Sequence, residues 1–381
     1  MKKISILISD LSGNCVVRSN PIAKVLERHY KIEIIGPMFG DGIFEPYKDE
    51  FDYKSVLLDA NIQLPRLSKV KKGLHGMKWI ADSITGDIIY AFKPRIITLG
   101  IGLLAKYKRK LPLILDIEDW EAASFYTASF SSKLASIRFD SPNHNILFNR
   151  FMEPLTHLTD EITVVSNFLQ KRFGGIKLPH GADCDLFDPS KYHRGKLRAK
   201  YGFTDEHIIL FAGTPHPHKG LEELIRALEM LSSDTVRLLV VGYQTEYLKK
   251  LEKKYDAYII SVGPRPHSDM PGFLRLADFI VLPQRNVPVA QAQVPGKVYE
   301  AMAMAKPIIA TAVSDLPEIL DGCGSIVEPE KPEQIAEAIQ YVLDHPEEAE
   351  EMGWKAREKC KAKYSLEAME EILLEIFRKY E

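Results

Sequence analysis

Apolar runs of only three to six residues recur along this chain, each bounded by turn-forming residues and followed by a stretch with helical spacing. Runs such as Ile4–Ser9, Leu113–Ile117, Ile208–Ala212, Val236–Val241 and Ile308–Ala310 are too short for helices. They are also too uniformly apolar for strands with one wet face, so they predict buried parallel strands. Their regular alternation with helical segments, one of them near Met77–Asp82, predicts parallel α/β layers. The alternation is interrupted by the polar, proline-containing segment 187–201 and restarts at Ile208. The fold class expected is therefore α/β, with two doubly wound units facing a central cleft. In such sheets ligands bind at the carboxyl ends of the strands. The boundaries expected are 1–187, 188–364 and a last helix over 365–381.

Composition narrows the function classes. At 381 residues the chain can bury two cores. A net charge of −2 gives no global field for nucleic acid. No run approaches the roughly 18–20 apolar residues of a membrane span. Met1-Lys2-Lys3 followed by Ile4–Ser9 starts like an export signal, but Asp10 cuts the apolar run short, and a first strand is the better reading. Cys15, Cys184, Cys323 and Cys360 lack metal-type spacing and read as reduced thiols of a cytoplasmic protein. The basic runs 66–72 and 106–110 read as solvated faces; a second reading rests them on an anionic membrane surface, which would make the protein membrane-peripheral.

Four segments carry chemistry. In Val294–Thr311, Pro295 suits a first helical turn, Val298, Met302 and Ala305 recur at helical spacing, and Lys306-Pro307 ends the helix before a buried strand. The layout predicts a helix start at Pro295, Gly296 and Lys297 whose amides face an anion, with Glu300 one turn in, able to bind a sugar hydroxyl. In Phe211–Gly220, a Gly/Pro-rich strand-to-helix loop holds Gly213, Thr214, His216 and His218 and ends in Lys219, a pattern suited to a diphosphate. The loop Asp10–Asn14 has one glycine, Gly13, and is no dinucleotide fingerprint. Asp116–Glu121 gathers acids at a strand end, and Glu118 and Asp119 suit hydroxyl or cation binding. The pair Asp183 and Asp185 has metal-type spacing but lies in a turn entering the linker, so no metal is assigned to it.

Together these stretches resemble the GT-B glycosyltransferases, specifically the large retaining family 4. The resemblance covers most of the chain and is strongest over residues 160–330. It rests on Asp160–Ser166, Pro179–Asp183 with Phe187–Pro189, Gly213–Gly220, Gly263–Pro266 with Ala277–Pro283, Pro295–Pro307 and Ser314–Ile319, in the family's order. Two Rossmann-like domains are implied, with the last helix crossing back to the first. The activity implied is retaining sugar transfer from a nucleotide diphosphate sugar to a carbohydrate or lipid-linked acceptor, without cofactor or metal. Carried over by position, Lys219 neutralises the diphosphate and Glu300 holds the ribose. Gly263, Pro264 and Arg265 hold the base, and Gln291 or Gln293 orients the sugar. Gly13, Gly213, Thr214, His218, Pro295, Gly296 and Lys297 complete the donor side. Ser12, Asn14 and Arg18 stand on the acceptor side with Glu118 and Asp119, the two acids also counted with Lys219 as catalytic. Three positions depart from the family: Ala292 stands for a glutamate, Thr214 for an arginine, and Glu118-Asp119 for His-Asp. The alternatives are a sugar-nucleotide epimerase of the same fold and a non-catalytic subunit that binds nucleotide sugar or serves only as a scaffold.

Overall fold

The structure, a computed structural model, describes residues 1–58, 66–123, 146–231, 233 and 235–381. The chain divides into two compact units. The first comprises Met1–His180 with Met369–Glu381, and the second Gly181–Ala368.

The first unit is built on β1 (Lys3–Leu7), β2 (Lys31–Met38), β3 (Tyr53–Leu57), β4 (Ile88–Phe92), β5 (Leu113–Ile117), β6 (Glu161–Val164) and β7 (Ile176–Lys177). They form one sheet in the order β3-β2-β1-β4-β5-β6-β7. All pairs are parallel; Ile4, for example, lies opposite Ile32 on one side and Ile88 on the other. The order reverses at β1, so the loops after β1 and β4 flank a topological switch point. The helix Leu366–Phe377 ends in this unit. Its buried Phe377 packs on Tyr30 and Tyr90, with ring centroids 5.8 and 5.4 Å away. Arg28 pairs with Glu370 at 2.5 Å.

The second unit repeats the plan with β8 (His207–Ala212), β9 (Val236–Val241), β10 (Ile259–Ser261), β11 (Phe279–Leu282), β12 (Ile308–Thr311) and β13 (Ser325–Val327), ordered β10-β9-β8-β11-β12-β13. Strand alternation divides its core between two faces. Ile209 and Phe211 pack against the helices Leu221–Leu231 and Pro332–Asp344. Ile208 and Leu210 pack against Met270–Leu276, Lys297–Ala303 and Pro346–Lys363. Each such fully buried side chain contributes about 1.5–3 kcal/mol.

Three elements differ from the sequence reading. The helix expected over 295–305 is shorter, Lys297–Ala303, because Pro295 and Gly296 turn ahead of it without a side-chain cap. A separate short helix, Pro288–Ala292, precedes it. The helix expected near 77–82 extends from Arg66 to Ser83. Among the described residues no helix is long and apolar enough to cross a membrane. The basic run 66–72 begins outside the described side chains. In the run 106–110, Lys106 is taken up by Asp160 at 2.6 Å, and Arg109 donates to the Ile84 carbonyl at 2.7 Å.

Candidate active site

In the second unit the chemistry-bearing residues gather at the carboxyl ends of β8, β9 and β11. β8 ends at Ala212, and Gly213 follows with φ +116°, a backbone that side-chain-bearing residues rarely adopt. Its N–H donates to the Val241 carbonyl at 2.8 Å, which ties the turn to the end of β9. A Cβ on Gly242 would lie 2.2 Å from the Gly213 carbonyl oxygen, so only glycine lets these turns meet. Gly242 in turn donates to the Gly263 carbonyl at 3.1 Å, placing the 263–265 loop beside the other two. Pro264 and Arg265 are exposed on it.

Two lysines converge on the Gly213 turn from opposite ends. Lys219 Nζ donates back to the Thr214 carbonyl at 2.7 Å. Gly220, at φ +70°, lets Lys219 sit there: a Cβ at 220 would collide with the Pro283 carbonyl at 1.7 Å. Lys297 reaches in from the start of its helix and donates to the Ala212 carbonyl at 2.8 Å. Its ammonium lies 3.7 Å from the Phe211 ring centroid, and that of Lys219 lies 5.9 Å from the same ring. Burial, and then the Lys219 charge, push Lys297 well below the usual lysine range. Burial and Lys219 likewise lower His216. His216 and His218 stack with centroids 5.5 Å apart.

Glu300 is held by His267, whose Nε2 is 2.9 Å from Oε1. Sequence reasoning missed His267; its one signal is its place just past the 263–266 loop. Gln291 is engaged by Asn286 at 2.7 Å, and Gln293 is partly exposed. Ala292, at the position of the family's glutamate, is fully buried. Gln284, also missed, follows β11 and is buried, with an amide oxygen unpartnered among the described residues.

In the first unit the strand-end acids meet a lysine the sequence reading had passed over. Lys93 follows β4 in a left-handed conformation, φ +69°. Its N–H donates to the Asp116 carbonyl at 2.9 Å, and its carbonyl accepts from the Thr98 hydroxyl at 2.5 Å. Its ammonium pairs with Asp119, with Glu118 at 3.2 Å and with Glu121 at 3.3 Å. Burial alone would lower Lys93, but the three carboxylates hold it well above the usual lysine range. Burial pushes Glu118 up to about 7; Lys93 opposes the shift and Asp119 adds to it. Arg95 grips Glu121 through Nε at 2.9 Å and Nη2 at 2.6 Å. Nearby, Ser12 Oγ accepts from the Gly40 N–H at 3.1 Å, and Gly13 lies over Asp10, a Cβ there being 3.2 Å from its carboxylate. Asn14 is exposed at the foot of the helix Val16–Leu26.

Arg18 requires a correction. Expected on the acceptor side, it is fully buried. It bonds Asp116 through Nε at 3.2 Å and Nη2 at 2.9 Å, and donates to the carbonyls of Leu178 at 2.8 Å and Pro179 at 3.1 Å. A guanidinium so occupied joins strand ends and has no face for a ligand. The helix expected to start at Pro295 begins instead at Lys297 and has seven residues, and the Lys297 side chain reaches back to the end of β8. Asp183 Oδ1 caps its own turn, accepting from the N–H of Leu186 at 2.8 Å. A separate groove of about 550 Å³, lined in part by Arg194, Asp278, Lys306 and Trp354, opens at the amino ends of β8, β11 and β12, the reverse end from these loops.

Residues 206–345, which contain both lysines, both glycine turns and Glu300, match the family described as Glycosyl transferases group 1. Over those 140 residues the chain is similar to group 1 glycosyl transferases. Its two parallel-sheet units have the GT-B fold, shared with solved glycosyltransferase structures. The structure of Alr3699/HepE from Anabaena in complex with UDP-glucose superposes with a TM-score of 0.77 over 100% of both chains, at 18% identity. In sequence, the chain is similar to a GDP-mannose-dependent alpha-(1-6)-phosphatidylinositol monomannoside mannosyltransferase of Mycolicibacterium smegmatis: 29% identical over 218 residues, covering 52% of this chain and 56% of that one. It is also similar to an alpha-D-kanosaminyltransferase of Streptomyces kanamyceticus, 30% identical over 193 residues and 49% of each chain. The matches thus span about half the length of these relatives.

Proposed function

We propose that the chain transfers a sugar from a nucleotide diphosphate sugar to a hydroxyl of a carbohydrate or lipid-linked acceptor, in glycan or glycolipid biosynthesis. The observation that carries this reading is the convergence of Lys219 and Lys297 on the glycine-opened turn after β8, inside the segment similar to group 1 glycosyl transferases. In such a transfer the anomeric carbon parts from the diphosphate, and negative charge builds on the departing group. Fixed cations stabilise that charge most effectively in a partly water-excluded site. The lysines take this role without a metal ion. Glu300, steadied by His267, receives the ribose hydroxyls. The 263–265 loop takes the base, and Gln291 and Gln293 face the sugar. The acceptor is assigned to the loops of the first unit, where Ser12, Asn14, Glu118 and Asp119 offer hydroxyl partners. Retention of configuration, without a protein nucleophile, is part of the proposal and follows the family resemblance.

The mannosyltransferase relative names a phosphatidylinositol-based acceptor, which favours a lipid-linked acceptor and peripheral contact with a membrane. The test is a thermal-shift panel of nucleotide sugars in chelator, followed by mass spectrometry of products with candidate acceptors. One class of nucleotide sugar should raise the melting temperature, and product should form only with an acceptor present. Absence of any shift would favour the scaffold reading. An altered sugar nucleotide formed without acceptor would favour an epimerase.

A further inference from the structure

The groove of about 550 Å³ at the amino ends of β8, β11 and β12 lies wholly within the second unit, at the strand ends remote from the donor loops. Its size is that of a small-molecule site. Three separate elements bring basic side chains to it. Arg194 begins the short helix Arg194–Lys200, and Arg275 stands near the end of Met270–Leu276. Lys306 follows the helix Lys297–Ala303, after a left-handed turn at Ala305, φ +51°. That turn is held by the next helix, where a Cβ on Gly353 would meet the Ala305 carbonyl oxygen at 2.2 Å.

These groups hold donors in reserve. Arg194 Nη2 bonds Asp278, but its Nε is buried with no partner among the described residues. Arg275 uses Nε alone, on the Tyr192 carbonyl at 3.2 Å, which leaves both Nη groups for an outside acceptor. Lys306 is buried and donates to the carbonyls of Ala277 and of Arg275, the latter at 3.3 Å, with a third N–H remaining. A buried donor left unmade costs free energy. The acids of the lining do not answer this excess. Asp278 is occupied by Arg194, by the Ile208 N–H at 2.8 Å and by Arg198 at 3.3 Å. Glu350 is exposed, where solvent screens it. Burial, then Arg275 and Arg194, lower Lys306 to about 7 against the pull of Asp278, so the cations stand near enough to repel one another. The groove is also lined by Pro346, Leu343 and the half-exposed Trp354, an apolar wall with an indole face on offer.

We propose that this groove binds a small phosphate monoester, its phosphate held by Arg194, Arg275 and Lys306 and its apolar or ring-shaped body resting on Trp354. A phosphate presents oxygens in several directions and so can accept from donors on three elements; a planar carboxylate has two oxygens and satisfies fewer of them. The helix Lys297–Ala303 has the donor loops at its first residue and the groove just past its last. A ligand here therefore leaves the donor loops open and sits where a regulator of the second unit has purchase.

Calorimetry and fluorescence with phenyl phosphate at about pH 8 test this. The probe carries one ring and a phosphate that is almost wholly dianionic there. It should bind with a Kd on the order of 1 mM or tighter and change the emission of Trp354, the tryptophan of the second unit; the emission change should vanish in Trp354→Phe. Arg275→Met and Arg194→Met should each weaken binding about tenfold or more, the worth of a hydrogen bond to a charged group. Both should fold, since Asp278 keeps Arg198 and the Ile208 N–H. Benzoate should bind at least about tenfold more weakly than phenyl phosphate, and Lys219→Ala should bind the probe as the wild-type chain does. No binding by the wild-type chain, equal affinity for benzoate, or binding that neither arginine variant weakens would overturn the proposal. Binding lost in Lys219→Ala but kept in both arginine variants would place the probe at the donor loops, which sinks this site and supports the donor reading.

Discussion

Arg18→Met separates a structural arginine from a substrate-binding one. Methionine keeps most of the apolar volume but removes every donor. It strands the Asp116 carboxylate, which then keeps the Thr163 hydroxyl at 2.7 Å as its close partner. The Leu178 and Pro179 carbonyls lose their donors in the same step. Breaking a fully buried ion pair from one side costs about 3–5 kcal/mol. In a unit of this size 1 kcal/mol moves the melting temperature by about 2–4 °C. The transition of the first unit should therefore fall by roughly 6–20 °C, followed by the fluorescence of Trp79 and Trp120, both in that unit. Adding Asp116→Asn should restore part of the loss, because the unpaired charge is gone; a coupling of about 1–3 kcal/mol is expected. A melting point within about 2 °C of wild type, with activity lost, would refute the reasoning and return Arg18 to the acceptor side.

Three further outcomes follow from the sites. Lys219→Ala should lower turnover by roughly 100- to 1000-fold, the range for removing one fixed charge-stabilising donor, with an unchanged melting temperature; activity within a few-fold of wild type would remove its diphosphate role. Glu300→Ala should weaken nucleotide binding by about 10- to 100-fold, the worth of hydrogen bonds to a charged group; equal affinity by calorimetry would mean the ribose lies elsewhere. Glu118, near 7 when folded against its ordinary 4.5, keeps a proton in the folded chain that the unfolded chain has released. Its contribution to stability therefore falls as pH rises from 4.5 to about 7 and is level above that. Glu118→Gln should flatten this slope in a pH series of melting curves, and an identical slope would place the titrating group elsewhere.

The sheets were legible because strands buried on both faces are written as uninterrupted apolar runs, and Ile308–Ala310 is a strand at sight. Short helices were less so: Pro288–Ala292 spans barely one turn and leaves no periodic pattern. The Arg66–Ser83 helix was under-read because Gly73, Gly76 and its lysines break the apolar repeat. The place of Lys219 beside the Gly213 turn could be read from its own loop, since both lie in one strand-to-helix connection. Lys93 could not, because its carboxylate partners follow a different strand, and only sheet pairing of β4 with β5 brings them together. Arg18 misled for the same reason: early in a helix it looks exposed, and a partner 98 residues away buries it.

The first unit is not finished where its last strand ends. Phe377 and its neighbours, which cap Tyr30 and Tyr90, lie beyond the whole second unit in sequence. At ribosomal speeds of about 5–20 residues per second, residues 1–180 emerge on the order of ten to forty seconds before the segment that seals them. During that interval the nascent amino-terminal half carries an unsealed aromatic seam, while the later half, contiguous from 181 to 368, can close on itself at once. The order of maturation is thus the reverse of the order of translation, and a chain cut short before residue 369 would carry its defect in the unit made first.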